Sequence, residues 1–333
     1  MPSAAMKCFL ISIDTEGDSL WTPGKAGTTR NAAFLARFQA LCERYGFRPT
    51  WLTDYTMAGS PVFGDFARDV LDRDAAEIGM HLHAWDTPPE HRLSGELPHD
   101  HTYLPEYPVS AMRAKLQAVT DRLTDLIGRP PRSHRAGRWG FDARYAVLLA
   151  EMGYWVDCSV TPGVTWHRQR GVSGGSGGPD FRDFPSEAYF LDLTNIRRAG
   201  HSSLLEVPMT IMPRGGVTLQ RWLPRAAPFA AEVALRKLVP DASWLRPDGH
   251  NLSDMVSLCD RALEQGRDYI EFMLHSSELM PGGSPRFATE RSIERLYEDL
   301  DGLFAHVARS WQGATLTEYY ERFSEHAMAC SAR

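Results

Sequence analysis

Carboxylates and histidines follow two apolar runs of this sequence at spacings that suit metal-dependent hydrolysis. Asp14 and Glu16 occupy alternate positions after the first apolar run, and the third run ends in His81-Leu82-His83. Alternate side chains of an extended segment share one face, so the two imidazoles can point the same way. Two imidazoles and a carboxylate are a common ligand set for catalytic zinc, with one position left for water.

The acidic cluster after the first run offers more than one role. Either Asp14 or Glu16 can bind the metal, and the other can accept a proton from a water whose pKa the metal lowers to about 7. Asp18 is the better candidate for a helix N-cap. We therefore expect one divalent ion, with zinc preferred, held by one of these two carboxylates together with His81 and His83.

Later apolar segments carry further ionisable residues at or near their ends: Arg135, Asp157 and His275. His275 follows the apolar run 269–274 and can act as a general acid towards a leaving amine. Three histidines of a proline-rich loop are expected to be solvated or to stabilise that loop: His91, His99 and His101.

The elements that position these residues alternate between short apolar runs and helical patterns. Strands are predicted at 8–13, 50–53, 77–83, 133–135, 155–159, 204–211 and 269–275. Helices are predicted at 31–45, 62–71, 110–127, 141–152, 253–265 and 289–307, with Asn31 and Ser110 as N-caps. Parallel strands need crossover connections, so this alternation predicts an α/β fold with a single distorted (β/α) barrel of seven or eight strands. In such barrels the carboxyl ends of the strands carry the site.

Composition limits the class of protein. The 333 residues are 43% hydrophobic and 23% charged, which excludes collagen-like, coiled-coil and disordered classes. A net charge of −6 without a basic block argues against nucleic acid as a partner, and no apolar run is long enough for a membrane span. The N-terminus lacks the features of a signal peptide, and the five cysteines form no Cys-x-x-Cys pair, so we expect a cytoplasmic protein.

The domain organisation is expected to be simple. Residues 1–333 are predicted to form one catalytic domain with a helical C-terminal segment. The glycine-rich stretch 171–178 is predicted to be a mobile loop near the rim of the barrel; the alternative is an interdomain linker.

Five segments in order resemble the motifs of the NodB-type polysaccharide deacetylases: SIDTEGD (12–18), EIGMHLHAW (77–85), RAGRWG (135–140), VDCS (156–159) and FMLHSSE (272–278). EIGMHLHAW and LHSSELMPGG are also similar to a cytoplasmic branch found with surface-glycan biosynthesis. The resemblance implies a distorted (β/α) barrel that uses a divalent metal, usually zinc, to remove acetyl groups from sugars.

The resemblance also implies a role for each matched residue. Asp14 resembles the catalytic base and Arg135 the arginine that orients it. His275 resembles the catalytic acid and Asp157 the aspartate that tunes it. Glu16 and His81 resemble the metal carboxylate and the first metal histidine.

Two positions depart from the family pattern. The metal carboxylate is a glutamate, Glu16, which is one methylene longer than the usual aspartate, so it and Asp14 can exchange roles. The second metal histidine usually stands four residues after the first, where this chain has Trp85. We predict that His83 is the ligand instead; the alternative is an altered site that does not hydrolyse its ligand.

The leading hypothesis is therefore a metal-dependent hydrolase that removes an acetyl or formyl group from an amino sugar. The substrate is expected to be a glycan or a nucleotide- or lipid-linked sugar, contacted by Trp85, Arg138 and Trp139. The alternatives are a catalytically inactive glycan-binding barrel and an amidohydrolase-type hydrolase, in which His-x-His normally follows the first strand.

Overall fold

The structure is a computed structural model that describes residues 7–18, 27–97, 100–213 and 242–331. Its strands are β1 (Cys8–Thr15), β2 (Thr50–Thr53), β3 (Glu77–Leu82), β4 (Ser133–Ala136), β5 (Val156–Asp157), β6 (Tyr189–Phe190), β7 (Leu205–Glu206), β8 (Ile211–Met212), β9 (Ser243–Trp244), β10 (Tyr269–His275) and β11 (Gln312–Ala314). Its α-helices are α1 (Leu35–Arg44), α2 (Pro61–Asp72), α3 (Val109–Ile127), α4 (Ala143–Glu151), α5 (Leu252–Glu264), α6 (Glu290–Val307) and α7 (Leu316–Ser331).

The main sheet runs in the order β10-β1-β2-β3-β4-β5-β7-β6, and β11 pairs with the start of β1. Neighbouring strands are parallel except for β6, which is antiparallel to β7, while β8 and β9 form a separate antiparallel pair. The side chain of Arg135 on β4 nevertheless bonds Ser12 on β1 and Glu271 on β10. Strands three and four places apart can share such contacts only if the sheet curls, because neighbours are about 4.8 Å apart. The predicted distorted (β/α) barrel is confirmed.

Strand β1 shows how the barrel is layered. Phe9, Ile11 and Ile13 pack in the core that contains α1 and α6. The alternate residues face a second cluster at the base of the barrel, where Cys8 and Leu10 meet side chains of α7. Above them the same face becomes polar, because Ser12 and Asp14 bond Arg135, which forms an ionic layer with Glu271. The period of two along one strand thus separates an apolar base from a polar rim.

Most predicted elements are present, but two predicted caps are wrong. The backbone enters α1 through a short 3-10 turn, and Asn31 is buried there, where its amide donates to the carbonyl of Glu16 and the hydroxyl of Ser276. Ser110 already lies inside α3, which begins at Val109. The predicted strand 204–211 is two short strands, β7 and β8. Strands β6, β9 and β11 have two or three residues each, too few for a periodic signal.

In the part of the chain that the structure describes, no helix is both long enough and apolar enough to cross a membrane.

Candidate active site

Glu16, His81 and His83 meet where β1 and β3 end, on either side of β2. Glu16 Oε2 lies 3.4 Å from Nε2 of His81 and 3.2 Å from Nε2 of His83. The two Nε2 atoms are 3.0 Å apart. Ligand atoms around a tetrahedral zinc ion with bonds of 2.0–2.1 Å are about 3.3 Å apart, so this triangle has the size of a zinc site.

The hydrogen bond made by Nδ1 of His81 shows that Nε2 is the ring nitrogen with a lone pair. Its Nδ1 lies 2.9 Å from the carbonyl oxygen of Arg135, which can only accept, so Nδ1 carries the hydrogen. With its hydrogen on Nδ1, the ring can turn the lone pair of Nε2 towards a cation in the triangle. Burial opposes ionisation of Glu16, but His275 and the two neighbouring imidazoles hold its pKa below the usual value. The residues present fit a divalent cation.

Asp14 lies beside the triangle rather than in it. Its Oδ1 accepts a hydrogen bond of 2.6 Å from Arg135, and its Oδ2 lies 4.0 Å from Nε2 of His81 and 3.7 Å from Nε2 of His275. Burial raises the pKa of Asp14, but Arg135 and then His81 outweigh it and keep the pKa below its usual value. Asp14 is thus an ionised carboxylate with one oxygen free to face a substrate.

Arg135 is fully buried and links Asp14 to a second carboxylate below it. Its guanidinium donates to Ser12 Oγ at 2.6 Å, to Glu271 Oε1 at 2.5 Å and to the carbonyl of Cys158 at 3.1 Å. Burial raises the pKa of Glu271 to about 7 even though Arg135 opposes that shift. Sequence reasoning missed Glu271 because it stands in the middle of an apolar strand.

His275 faces the triangle from the end of β10. Its Nε2 is 3.7 Å from Asp14 and 4.0 Å from Glu16 Oε1. Its Nδ1 lies 2.9 Å from Arg246 Nη2 and 3.2 Å from Glu278 Oε2. Burial opposes ionisation of Glu278, but Arg246 and His275 lower its pKa to about 2. The sequence signal for Glu278 is its place three residues after His275, where its carboxylate accepts the His275 backbone N–H.

Asp157 lies elsewhere, and its implied role needs correction. Its carboxylate bonds His134 Nδ1 at 2.5 Å and Ser159 Oγ at 2.8 Å, and the other nitrogen of His134 bonds Tyr145 of α4. Asp157 pairs in register with His134, whereas Arg135, the next residue, points into the barrel. The carboxylate at His275 Nδ1 is that of Glu278, which stands where the resemblance implied Asp157.

A pocket of about 320 Å³ opens above these residues. The three residues predicted to contact substrate, Trp85, Arg138 and Trp139, all line it, together with Trp166, which the sequence reasoning missed. Trp139 and Trp166 are stacked, with ring centroids 6.4 Å apart and an interplanar angle of 17°. Aromatic faces of this kind suit the apolar faces of sugar rings.

Two loop segments form the rim of the pocket. His101, which was expected to be solvated or to stabilise its loop, lines the pocket and stacks on Trp85. His91 is exposed, and His99 lies outside the described residues. Ser173, in the glycine-rich segment, is hydrogen-bonded to Asp100, the neighbour of His101 in the pocket wall. The mobility of this segment stays a prediction.

The RAGRWG segment brings backbone close to a candidate ligand. A Cβ atom on Gly137 would lie 2.5 Å from Cδ2 of His83 and 2.5 Å from the carbonyl oxygen of Leu82, so only glycine fits there. Arg138 and Trp139 follow with φ of 54° and 61°, a left-handed conformation that costs roughly 1–2 kcal/mol per residue. The turn puts both side chains in the pocket wall.

Comparison with known proteins identifies the fold. No protein-family model matches the sequence, and no curated protein matches it. A structure from Parabacteroides distasonis, described as a "putative glycoside hydrolase/deacetylase", is 12% identical with a TM-score of 0.59, and the match covers 98% of this chain and 73% of that one. A "putative polysaccharide deacetylase" from Mycobacterium smegmatis is 15% identical with a TM-score of 0.55, and the match covers 98% and 93%. The chain has the fold of the polysaccharide deacetylases.

This fold also occurs in a protein with a different named activity. The 4-alpha-glucanotransferase from Thermococcus litoralis is 13% identical with a TM-score of 0.51, and the match covers 95% of this chain and 40% of that one. At such identities the likeness shows the fold alone. The chemistry must be argued from the site.

Proposed function

We propose that this protein is a metal-dependent hydrolase that removes an N-acyl group, acetyl or formyl, from an amino sugar in glycan biosynthesis. The observation that carries the proposal is the buried triangle of Glu16, His81 and His83, with a free carboxylate oxygen of Asp14 beside it. A ligand set of two imidazoles and one carboxylate leaves a position open, as catalytic sites require and closed structural sites do not. The fold shared with the deacetylases supports the same conclusion.

The residues divide the work of amide hydrolysis among them. When bound, zinc would supply an activated water molecule and a positive charge for the acyl oxygen. Asp14, held ionised by Arg135, accepts a proton through Oδ2. His275 donates a proton from Nε2 to the leaving amine, while Glu278 Oε2 accepts the Nδ1 hydrogen of the imidazolium and Arg246 pairs with the other oxygen of Glu278. The base and the acid are neighbours beside the triangle, with Asp14 Oδ2 and His275 Nε2 3.7 Å apart.

The pocket walls support a sugar substrate. Trp85, Trp139 and Trp166 offer flat apolar surfaces, and Arg138 offers a cation that can contact hydroxyl or anionic groups. A nucleotide- or lipid-linked amino sugar in the cytoplasm is the substrate that we propose, because the motif resemblance extends to surface-glycan biosynthesis. The amidohydrolase alternative is less suited to this chain, because His81 and His83 lie at the end of β3 rather than after the first strand.

Metal analysis and hydrolysis assays with variants test the proposal. Purified protein should bind one zinc per chain and release acetate or formate, with a new free amine, from N-acylated sugars, sugar nucleotides or oligosaccharides. His275→Ala should keep the metal and lower kcat by about 10²–10⁴, as expected for a lost general acid. His83→Ala should bind the metal more weakly. His91→Ala, on an exposed histidine outside the pocket, is the matched control and should change neither property.

Two results would contradict the proposal, and a third would contradict the role of His275. Protein that binds no divalent ion under metal-replete conditions cannot work in this way. Protein that binds the ion and glycans but releases no acyl group from any of these substrates would be the glycan-binding barrel instead. If His275→Ala loses the metal, His275 is a ligand rather than the acid.

A further inference from the structure

The two histidines of the triangle differ in what holds their outer nitrogen atoms. His81 Nδ1 bonds the carbonyl of Arg135 at 2.9 Å. His83 Nδ1 is buried and has no hydrogen-bond partner in the structure. Two carboxylates flank it at equal distance, with Asp54 Oδ2 and Asp86 Oδ2 each 3.8 Å away.

The plane of the His83 ring is already fixed by its packing. Trp85 stacks on it with ring centroids 4.4 Å apart and an interplanar angle of 17°, and His101 also stacks on Trp85. The backbone of Gly137 lies against the Cδ2 edge of the ring. The residue that replaces the usual metal histidine, Trp85, therefore serves as a platform for the histidine two positions before it.

Packing alone leaves a choice between two ring orientations. A rotation of 180° about the Cβ–Cγ bond keeps the plane but exchanges Nδ1 with Cδ2 and Nε2 with Cε1. The rotated ring would present a carbon atom to Glu16 and His81. A pair of carboxylates attracts the N–H edge of the ring and not the C–H edge. Carboxylates near Nδ1 therefore favour the orientation in which Nε2 faces the triangle.

We infer that Asp54 and Asp86 are positioning residues that accept the Nδ1 hydrogen of His83 and so aim its Nε2 at the metal. The inference rests on the metal site of the proposed function. A separation of 3.8 Å is longer than a hydrogen bond, so the contact is completed by a bridging water or by a small movement of Asp86, whose side chain is 27% exposed.

Asp54 also contacts the segment that carries Glu16, the candidate carboxylate ligand. It follows β2, the strand between β1 and β3, and is itself buried. Its Oδ1 accepts the backbone N–H of Met57 at 2.6 Å, and its Oδ2 accepts that of Gly17 at 3.3 Å. Gly17 is the neighbour of Glu16. One fixed carboxylate thus touches the segments that carry two of the three ligands.

The test compares metal affinity in Asp86→Asn, Asp54→Asn and the double variant, by competition between the protein and a zinc chelator. Metal ligands that lose such partners typically bind 10- to 100-fold more weakly, and we expect that loss in each variant. Asp86→Asn is the cleaner single change, because Asp54 also holds Met57. Asp121→Asn, on the exposed side of α3, makes the same change of charge and should leave affinity unaltered.

Spectroscopic readouts separate orientation from a general structural effect. The Co²⁺-loaded variants should show an altered visible spectrum, and the Nδ1 hydrogen of His83 should shift in ¹⁵N–¹H spectra, while the apo-protein of Asp86→Asn unfolds at the wild-type temperature. Wild-type affinity in all three variants would overturn the inference while leaving the proposed function intact. Two ions per wild-type chain would also overturn it, because the second ion would occupy Nδ1. A wild type that binds no ion would overturn both.

Discussion

Replacement of Gly137 by alanine tests whether His83 is a metal ligand without removing any candidate ligand. The added Cβ would lie 2.5 Å from His83 Cδ2, and an ordinary contact begins at about 3.4 Å, so the ring must move by about 0.9 Å. A displacement of that size is large against zinc–nitrogen bonds of 2.0–2.1 Å. We expect zinc affinity to fall by at least tenfold.

The same Cβ meets the carbonyl oxygen of Leu82, so Gly137→Ala should also destabilise the fold by about 1–3 kcal/mol, the usual cost of overpacking. Gly174→Ala is the matched control, because a Cβ there meets nothing within 4 Å and the glycine needs no positive φ. Zinc affinity is measured by chelator competition, and stability by urea unfolding of the apo-protein. A Gly137→Ala variant that loses stability but keeps wild-type zinc affinity would refute the assignment of His83.

Two further predictions concern the ionic layer below the site. Arg135→Met leaves buried carboxylates without their cation and should lower the free energy of unfolding by about 3–5 kcal/mol. Arg113→Met, the control at an exposed pair with Glu151, should change that free energy by no more than about 0.5 kcal/mol. Equal losses for the two variants in urea unfolding would contradict this prediction. The folded pKa of Glu271, about 7, lies above its unfolded value of 4.5, so this carboxyl makes the unfolding free energy fall as pH rises between those values. Glu271→Gln should remove that fall, which is on the order of 3 kcal/mol across the window, and parallel stability–pH curves for variant and wild type would show the reasoning to be wrong.

The barrel could be predicted from the sequence because its long strands and helices carry strong patterns. The apolar run that forms β10 and the stripe of α3 are examples. The candidate ligands could be predicted for a related reason: they lie at or just after the ends of strands, where parallel topology gathers side chains at one edge. His83 was inferred in spite of Trp85 because alternate positions share a face.

The remaining parts of the site depend on contacts between distant segments. Glu271 and Arg135 are 136 positions apart in the sequence, and only the curl of the sheet brings them together. For Asp157 the motif match was misleading. Asp157 pairs in register with His134, and both side chains therefore lie on the face towards α4. A motif places a residue along a strand, but a shift of one residue changes the face on which it lies.

A fold that also occurs in a glucanotransferase cannot by itself select a reaction, and the differences must arise at the strand ends. In this chain one face of β1 passes from Leu10 at the apolar base to Ser12 in the ionic layer and to Asp14 beside the triangle. Arg135 donates hydrogen bonds to both Ser12 and Asp14. Its guanidinium therefore balances the charge of the buried Glu271 and also holds Asp14, the proposed base, in place. The charge that allows Glu271 to be buried is therefore the same charge that keeps Asp14 ionised, which couples the stability of the barrel to the chemistry proposed at its rim.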